Sequence, residues 1–250
     1  MFKTIYILWL RQLKKYFRSK SRIIGSLGQP LLFMVALGFG FGPTYQKAGG
    51  GNYLEFLVPG IIAMSILFTA IFSGIEIIWD RQFGFLKETL VAPVSRFEIM
   101  IGRSLGGATV AVFQGILVLI ISLFLGFKIY NYSMFPIAIL FMFMIALLFT
   151  ALGTAIASLL EDMQGFQLIM NFLIMPIFFL SGALFSITDL PPALNIITSL
   201  NPMSYGVDGL RGALVLNASH FGMMTDFLVL GVCIILLNSI GAYLFSKIQI

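Results

Sequence analysis

The chain has 250 residues, of which 59% are hydrophobic and only 10% charged, with a net charge of +5 and a mean hydropathy of +1.02. Soluble domains carry roughly 25% charged residues, so a soluble fold is excluded, and basic residues set beside apolar runs are explained by anionic lipid and topology rather than nucleic acid. A single cysteine, Cys233, excludes an intrachain disulfide, and a single histidine, His220, excludes a His/Cys metal cluster.

Residues 1–22 read as an amphipathic helix. Phe2, Ile5, Tyr6, Trp9, Leu13, Tyr16 and Phe17 recur at steps of three and four, with Arg11, Lys14, Lys15 and Arg18 mainly opposite. Such a helix lies in the membrane interface. A signal peptide would need a small-residue cleavage site after its apolar stretch, which this segment fits poorly.

Six apolar runs follow, each near the roughly 20 residues that span a bilayer as a helix: 23–42, interrupted by Gln29-Pro30; 56–79, with Pro59 near its start and Glu76 near its end; 104–124; 135–160; 166–184; and 227–245. Between the last two, residues 185–226 are broken by Pro191-Pro192 and Pro202 yet stay partly apolar. Two short helices that dip into the outer leaflet and return suit this stretch, provided protein surrounds them. Twelve Lys and Arg residues fall on the side of the termini and the 80–103 segment, against Lys47, Lys128 and Arg211 opposite, which places both termini in the cytoplasm. No internal repeat supports an inverted-repeat transporter.

The cytoplasmic segment after the second run has an apolar centre. Phe83, Leu86, Leu90 and Val91 fall on one helical face, Lys87 and Glu88 lie beside it, and Pro93 ends the helix at Ala92. Two readings stand for this face: a docking surface for a partner, or a short helix lying on lipid. Nothing in the chain binds a nucleotide phosphate by the Walker route, since no Gly-Lys dipeptide occurs.

Inside the runs, polar residues are few. Glu76 is the one acid well within a span, where a central carboxylate costs about 2.5–3.5 kcal/mol; it pairs with Arg103 or a base of the N-terminal helix, or serves gating or substrate. Gln114 and Asn171 bond across helices or bind substrate. Gly102, Gly106, Gly107 and the Gly153-x-x-x-Ala157 pair read as close-packing positions. Phe33, Phe39, Phe172, Phe178 and Phe179 either line a greasy exit route or face lipid and neighbouring helices.

Three groups of residues carry a resemblance. Pro59-Gly60, the run from Trp79 to Arg96 containing Leu-Lys-Glu-Thr-Leu-Val-Ala-Pro-Val-Ser-Arg, and Asn201-Pro202-Met203-Ser204-Tyr205-Gly206 followed by Asp208-Gly209-Leu210-Arg211 resemble the permease subunits of type-2 ABC exporters, in the daunorubicin-resistance-like branch. The likeness covers nearly the whole chain. Where that family commonly has proline after Ser181-Gly182-Ala183-Leu184-Phe185, this chain has Ser186.

The resemblance implies one all-α transmembrane domain, 1–250, with six spans, an interfacial N-terminal helix, a coupling helix and short re-entrant outer helices. It implies a homodimer or pseudo-dimer in membrane lipid with the pathway at its centre, and two separate ATPase subunits that hold ATP and Mg, with no cofactor in this chain. Residues 83–92 then inherit the coupling role: Phe83, Gly84, Phe85, Leu86, Lys87, Glu88, Thr89, Leu90, Val91 and Ala92, closed by Pro93 and Arg96. The expected activity is export of an amphiphilic drug or lipid, or of a lipid-linked glycan. A membrane-embedded transferase would want an acid pair, a histidine or a metal-binding aspartate cluster, and Glu161-Asp162 and Asp80 lie in separate segments. An ion channel would need a polar filter sequence, which is not seen.

Overall fold

A computed structural model describes residues 2–47, 51–85, 94–188, 190–215 and 218–247. Among them the chain is helical, without strands. Most of the expected coupling helix, residues 86–93, lies outside the described residues.

Helix α1 (Phe2–Arg18) is followed at once by α2 (Lys20–Lys47), with Ser19 at the corner. The break expected at Gln29-Pro30 does not occur. Pro30 and Pro43 both sit inside a continuous α2, because each proline removes one backbone bond and a long apolar helix retains the others. Pro30, Met34 and Gly38 form its buried stripe.

The second apolar run is two helices, α3 (Tyr53–Phe72) and α4 (Ile75–Gln82), parted at Ser73-Gly74. The Ser73 hydroxyl bonds back to the Ala70 carbonyl at 2.6 Å. A Cβ added to Gly74 would lie 2.5 Å from the Gly153 backbone, and one on Gly153 would lie 2.4 Å from the Ile71 carbonyl oxygen. Two helices therefore meet backbone to backbone at this joint. Helix α5 (Arg96–Phe124) opens with a capping box, the Ser95 hydroxyl accepting from the Glu98 amide at 3.2 Å. The polar 80–103 segment is thus helical at both ends.

A single 3-10 turn (Tyr132–Met134) leads into α6 (Phe135–Leu159), then α7 (Met163–Phe179), two short helices α8 (Pro192–Leu200) and α9 (Pro202–Leu214), and α10 (Met223–Ser246). Helix α3 is the centre, buried on nearly all sides by α2, α5, α6 and α9. Helix α10 packs on the far side of α6, α1 runs along α5, and α7 rests lightly on α3 and α4.

Five helical stretches are long and apolar enough to cross a membrane: Lys20–Lys47, Tyr53–Gln82, Arg96–Phe124, Tyr132–Leu159 and Met223–Ser246. Helix α7, at 17 residues, is a shorter apolar helix. The outward faces of α2 and α7 remain uncovered, with Leu32 and Phe39 on one and Leu168 and Phe172 on the other exposed.

Candidate functional site

Charge gathers where α4 ends. Asp80 is buried and forms ion pairs with Arg103 of α5 and, at 3.4 Å, with Arg11 of α1. Glu76, one turn earlier, receives Lys15 at 3.3 Å and Arg22 at 3.0 Å. Of the two pairings expected for Glu76, the one with bases of the N-terminal segment is found: Asp80 points at α5 and takes Arg103, while Glu76 points at the corner between α1 and α2. Arg81 bonds Glu161 at 2.9 Å, and the Gln82 amide donates to the Glu161 carbonyl at 3.2 Å. The charged and amide side chains at the end of α4 are thus tied to α1, α2, α5 and the Glu161 loop.

The length of the helix makes these charges affordable. Tyr53–Gln82 has 30 residues, about 45 Å at 1.5 Å per residue, against a hydrocarbon core of about 30 Å. A run of that length exceeds the core, which leaves room for the charges at its end to lie clear of mid-bilayer, where the penalty is greatest.

From this clamped helix the chain leaves through Phe83 and Phe85, exposed at 68% and 51%, with Gly84 between them at a φ of +80° that suits glycine. Leu86, Lys87, Glu88, Thr89, Leu90, Val91, Ala92 and Pro93 lie outside the described residues. Arg96 opens α5 and donates to the Ser246 carbonyl, drawing the end of α10 to the same place.

Helix α1 covers α5. Gly102 lies under Ile5 and Leu8, and Gly106 under Trp9 and Gln12, each so close that a Cβ would collide. Trp9 Nε1 donates to Thr109 at 3.0 Å, and the buried Tyr16 hydroxyl donates to Gln114. Burial raises the Tyr16 phenol pKa, with Arg22 offsetting part of the rise, so the hydroxyl stays a proton donor. The inner face of α1 is therefore Ile5, Leu8, Trp9 and Tyr16, with the half-exposed Phe17 ring edge-to-face on Phe113 of α5, while Phe2 and Tyr6 point outward.

The aromatic candidates separate. Phe39, Phe172 and Phe179 are exposed on α2 and α7, and Phe33 is half-buried against the core. Phe178 is 1% exposed and packs edge-to-face on Phe179 within the core. Asn171 lies on the exposed stripe of α7 with Leu168, Phe172 and Met175.

At the opposite end of the bundle three distant motifs converge. A Cβ on Gly60 would lie 2.2 Å from the Ala183 carbonyl oxygen, so Pro59-Gly60 is the seat of the Ser181–Leu184 turn. The Arg211 Nη2 donates to the carbonyls of Gly182 at 3.0 Å and Phe56 at 3.3 Å, and its guanidinium lies 4.0 Å over the Phe56 ring. Asn201 caps α9 and donates to the Ile177 carbonyl at 2.7 Å. Asp208 accepts from the amides of His220 and Phe221, each at 2.8 Å, and from the Ser219 hydroxyl at 3.0 Å. The Ser186 hydroxyl is hydrogen-bonded to the Thr188 hydroxyl at 2.6 Å and accepts from the Thr188 amide at 3.3 Å.

Reasoning from the sequence missed Asp80, Asp208 and Arg211 as clamps. A buried acid and base three positions apart in a partly apolar segment was the available signal for the latter two.

The chain matches the model of the ABC-2 type transporter family over residues 3–215. It belongs to that family. Three curated proteins are among those similar to it. The inner membrane transport permease YadH of Escherichia coli (strain K12) is 27% identical over 89% of each chain. The transport permease ycf38 of Porphyra purpurea is 31% identical over 78% of this chain and 68% of its own. Nodulation protein J of Rhizobium leguminosarum bv. viciae is 27% identical over 83% of this chain and 82% of its own. With its apolar helices and permease relatives, this ABC-2 chain is a multi-pass membrane protein, and the relatives' names agree with a transport subunit. Permeases of the family normally work with an ATPase subunit.

Proposed function

We propose that this chain is the membrane-spanning permease of an ATP-driven exporter that moves an amphiphilic drug or lipid out of the cytoplasm, with ATP and Mg held by a separate ATPase subunit. One observation carries the reading: two exposed phenylalanines, Phe83 and Phe85, project from a helix whose final turns are ion-paired to α1, α5 and the Glu161 loop. A side chain pushed at that point moves several helices together, which is what transmission from a partner requires.

In this reading residues 83–92 form the coupling helix on the cytoplasmic side, and α7 is the sixth span. Helix α7 begins beside Arg81-Glu161 and ends beside the Gly60 seat, so it traverses the bundle from one end to the other. The excess of Lys and Arg at the α4 end supports cytoplasmic termini. A second copy packs against the uncovered faces of α2 and α7, where the Asn171 amide would find the partner that lipid denies it.

The test is co-purification of the ATPase subunit, with ATP-driven transport, for Leu86→Asp beside Lys47→Asp. A carboxylate forced into an apolar groove without a counter-charge is expelled, so loss in the first variant alone is the expected result. Equal co-purification and transport in both variants overturns the coupling assignment.

A further inference from the structure

The corner between α1 and α2 faces α3 across a cavity of about 220 Å³, bordered by Tyr16, Arg22, Ser26, Gln29, Ser65 and Phe68. A second cleft of about 240 Å³, bordered by Lys15, Arg22, Glu76 and Trp79, shares Arg22 and Phe72 with the first. The two make one groove along α3 and α4. From Ser65 to Glu76 it runs eleven residues, about 16 Å, close to the hydrocarbon depth of one leaflet, half of about 30 Å.

Its two ends differ. The charged end holds Lys15 and Arg22 against the single carboxylate of Glu76, a surplus of one positive charge, and both cations keep over a third of their side-chain surface exposed. Arg22 spends Nη1 on Glu76, out of five N–H donors. The deep end mixes Met64, Phe68 and Pro30 with hydroxyl groups. Ser65 borders the cavity, is 2% exposed, and its hydroxyl has no partner. A buried polar group left unmade is costly, so this hydroxyl is matched to something absent from the chain itself.

We infer that this groove is a binding site for an anionic amphiphile, its negative head between Lys15 and Arg22, a hydrogen-bonding linkage on Ser65, and its apolar part against Phe68 and Phe72. The inference rests on the permease reading and names its substrate class. Charge decides between amphiphiles: a cationic one would compete with Lys15 and Arg22 for Glu76, whereas an anionic one completes the set.

The experiment uses the permease in nanodiscs, with and without its ATPase subunit, and a fluorescent phosphatidylglycerol as probe. Phosphatidylcholine with the same chains and inorganic phosphate are the comparison arms. Phosphatidylglycerol binds about tenfold more tightly than phosphatidylcholine, and Arg22→Gln removes that preference, as loss of a charge-assisted contact predicts. Ser65→Leu fills the deep end and lowers affinity for both lipids; Gln29→Leu, at an exposed position on the rim, does the same without altering the core, and Arg18→Gln leaves binding unchanged.

Equal affinity for the two lipids in the wild type overturns the site, as does wild-type binding in Arg22→Gln, Ser65→Leu and Gln29→Leu. Displacement of the probe by inorganic phosphate alone shows a phosphate site and overturns the amphiphile. If the ATPase complex fails to form while lipid selectivity persists, the permease reading falls and the site stands. If the complex forms and couples while all three variants bind as wild type, the site alone falls.

Discussion

Asp80 and Arg103 form a buried ion pair that joins the last turn of α4 to the second turn of α5, the two helices that residues 86–93 connect in sequence. Any force applied to that segment reaches both helices through one contact.

Removing one member leaves the other as an uncompensated buried charge, which costs about 3–5 kcal/mol. Asp80→Asn is expected to lower the thermal unfolding temperature of the purified permease in detergent strongly. The double variant Asp80→Asn with Arg103→Gln loses less than the sum of the single changes. Additive losses would show that the pair is not an energetic unit.

Gly60→Ala places a methyl 2.2 Å from the Ala183 carbonyl oxygen, backbone against backbone. Overpacking of this kind costs about 1–3 kcal/mol. Gly28→Ala, where nothing lies within 4 Å of the new Cβ, serves as the matched change in a helix interior and is neutral or slightly stabilising. Unfolding of both variants in the same detergent tests the contrast, and equal unfolding temperatures would count against the seat.

Phe83→Ala removes an exposed ring just after α4. If that ring enters a groove of the ATPase, about 1.5–3 kcal/mol of burial is lost, a weakening of about one to two powers of ten. The affinity of the purified ATPase subunit for nanodisc-held permease measures it. An unchanged affinity removes Phe83 from the interface.

Lys14 is exposed on α1, whereas Lys15 is held by Glu76. A single cysteine at Lys14, in a background with Cys233→Ser, is expected to react with a membrane-impermeant thiol reagent from the cytoplasmic side alone, and one at Lys47 from the outside alone. Labelling in the reverse sense inverts the topology.

Lengths and apolar content of the long helices are legible from residue order, because a run of apolar side chains determines its own solvent and a helix satisfies its backbone from within. The capping box at Ser95 and Glu98 is local in the same sense. Continuity through Pro30 and Pro43 is not, since composition alone cannot say whether neighbours support the freed carbonyls.

What only the tertiary structure decided is which side chains meet. Glu76 chose Lys15 and Arg22 over Arg103, Gly60 met Ala183, and Arg211 met Gly182 and Phe56. These partners lie 29 to 155 positions apart for the bonds of Arg211 alone. Hydropathy and periodicity specify a face of a helix, but a pairing depends on the rotation and depth of two helices at once, and those are set by close packing at Gly74, Gly102, Gly106 and Gly153. The sequence by itself determined a membrane chain of apolar helices; the packing of small residues decided where its few charges found one another.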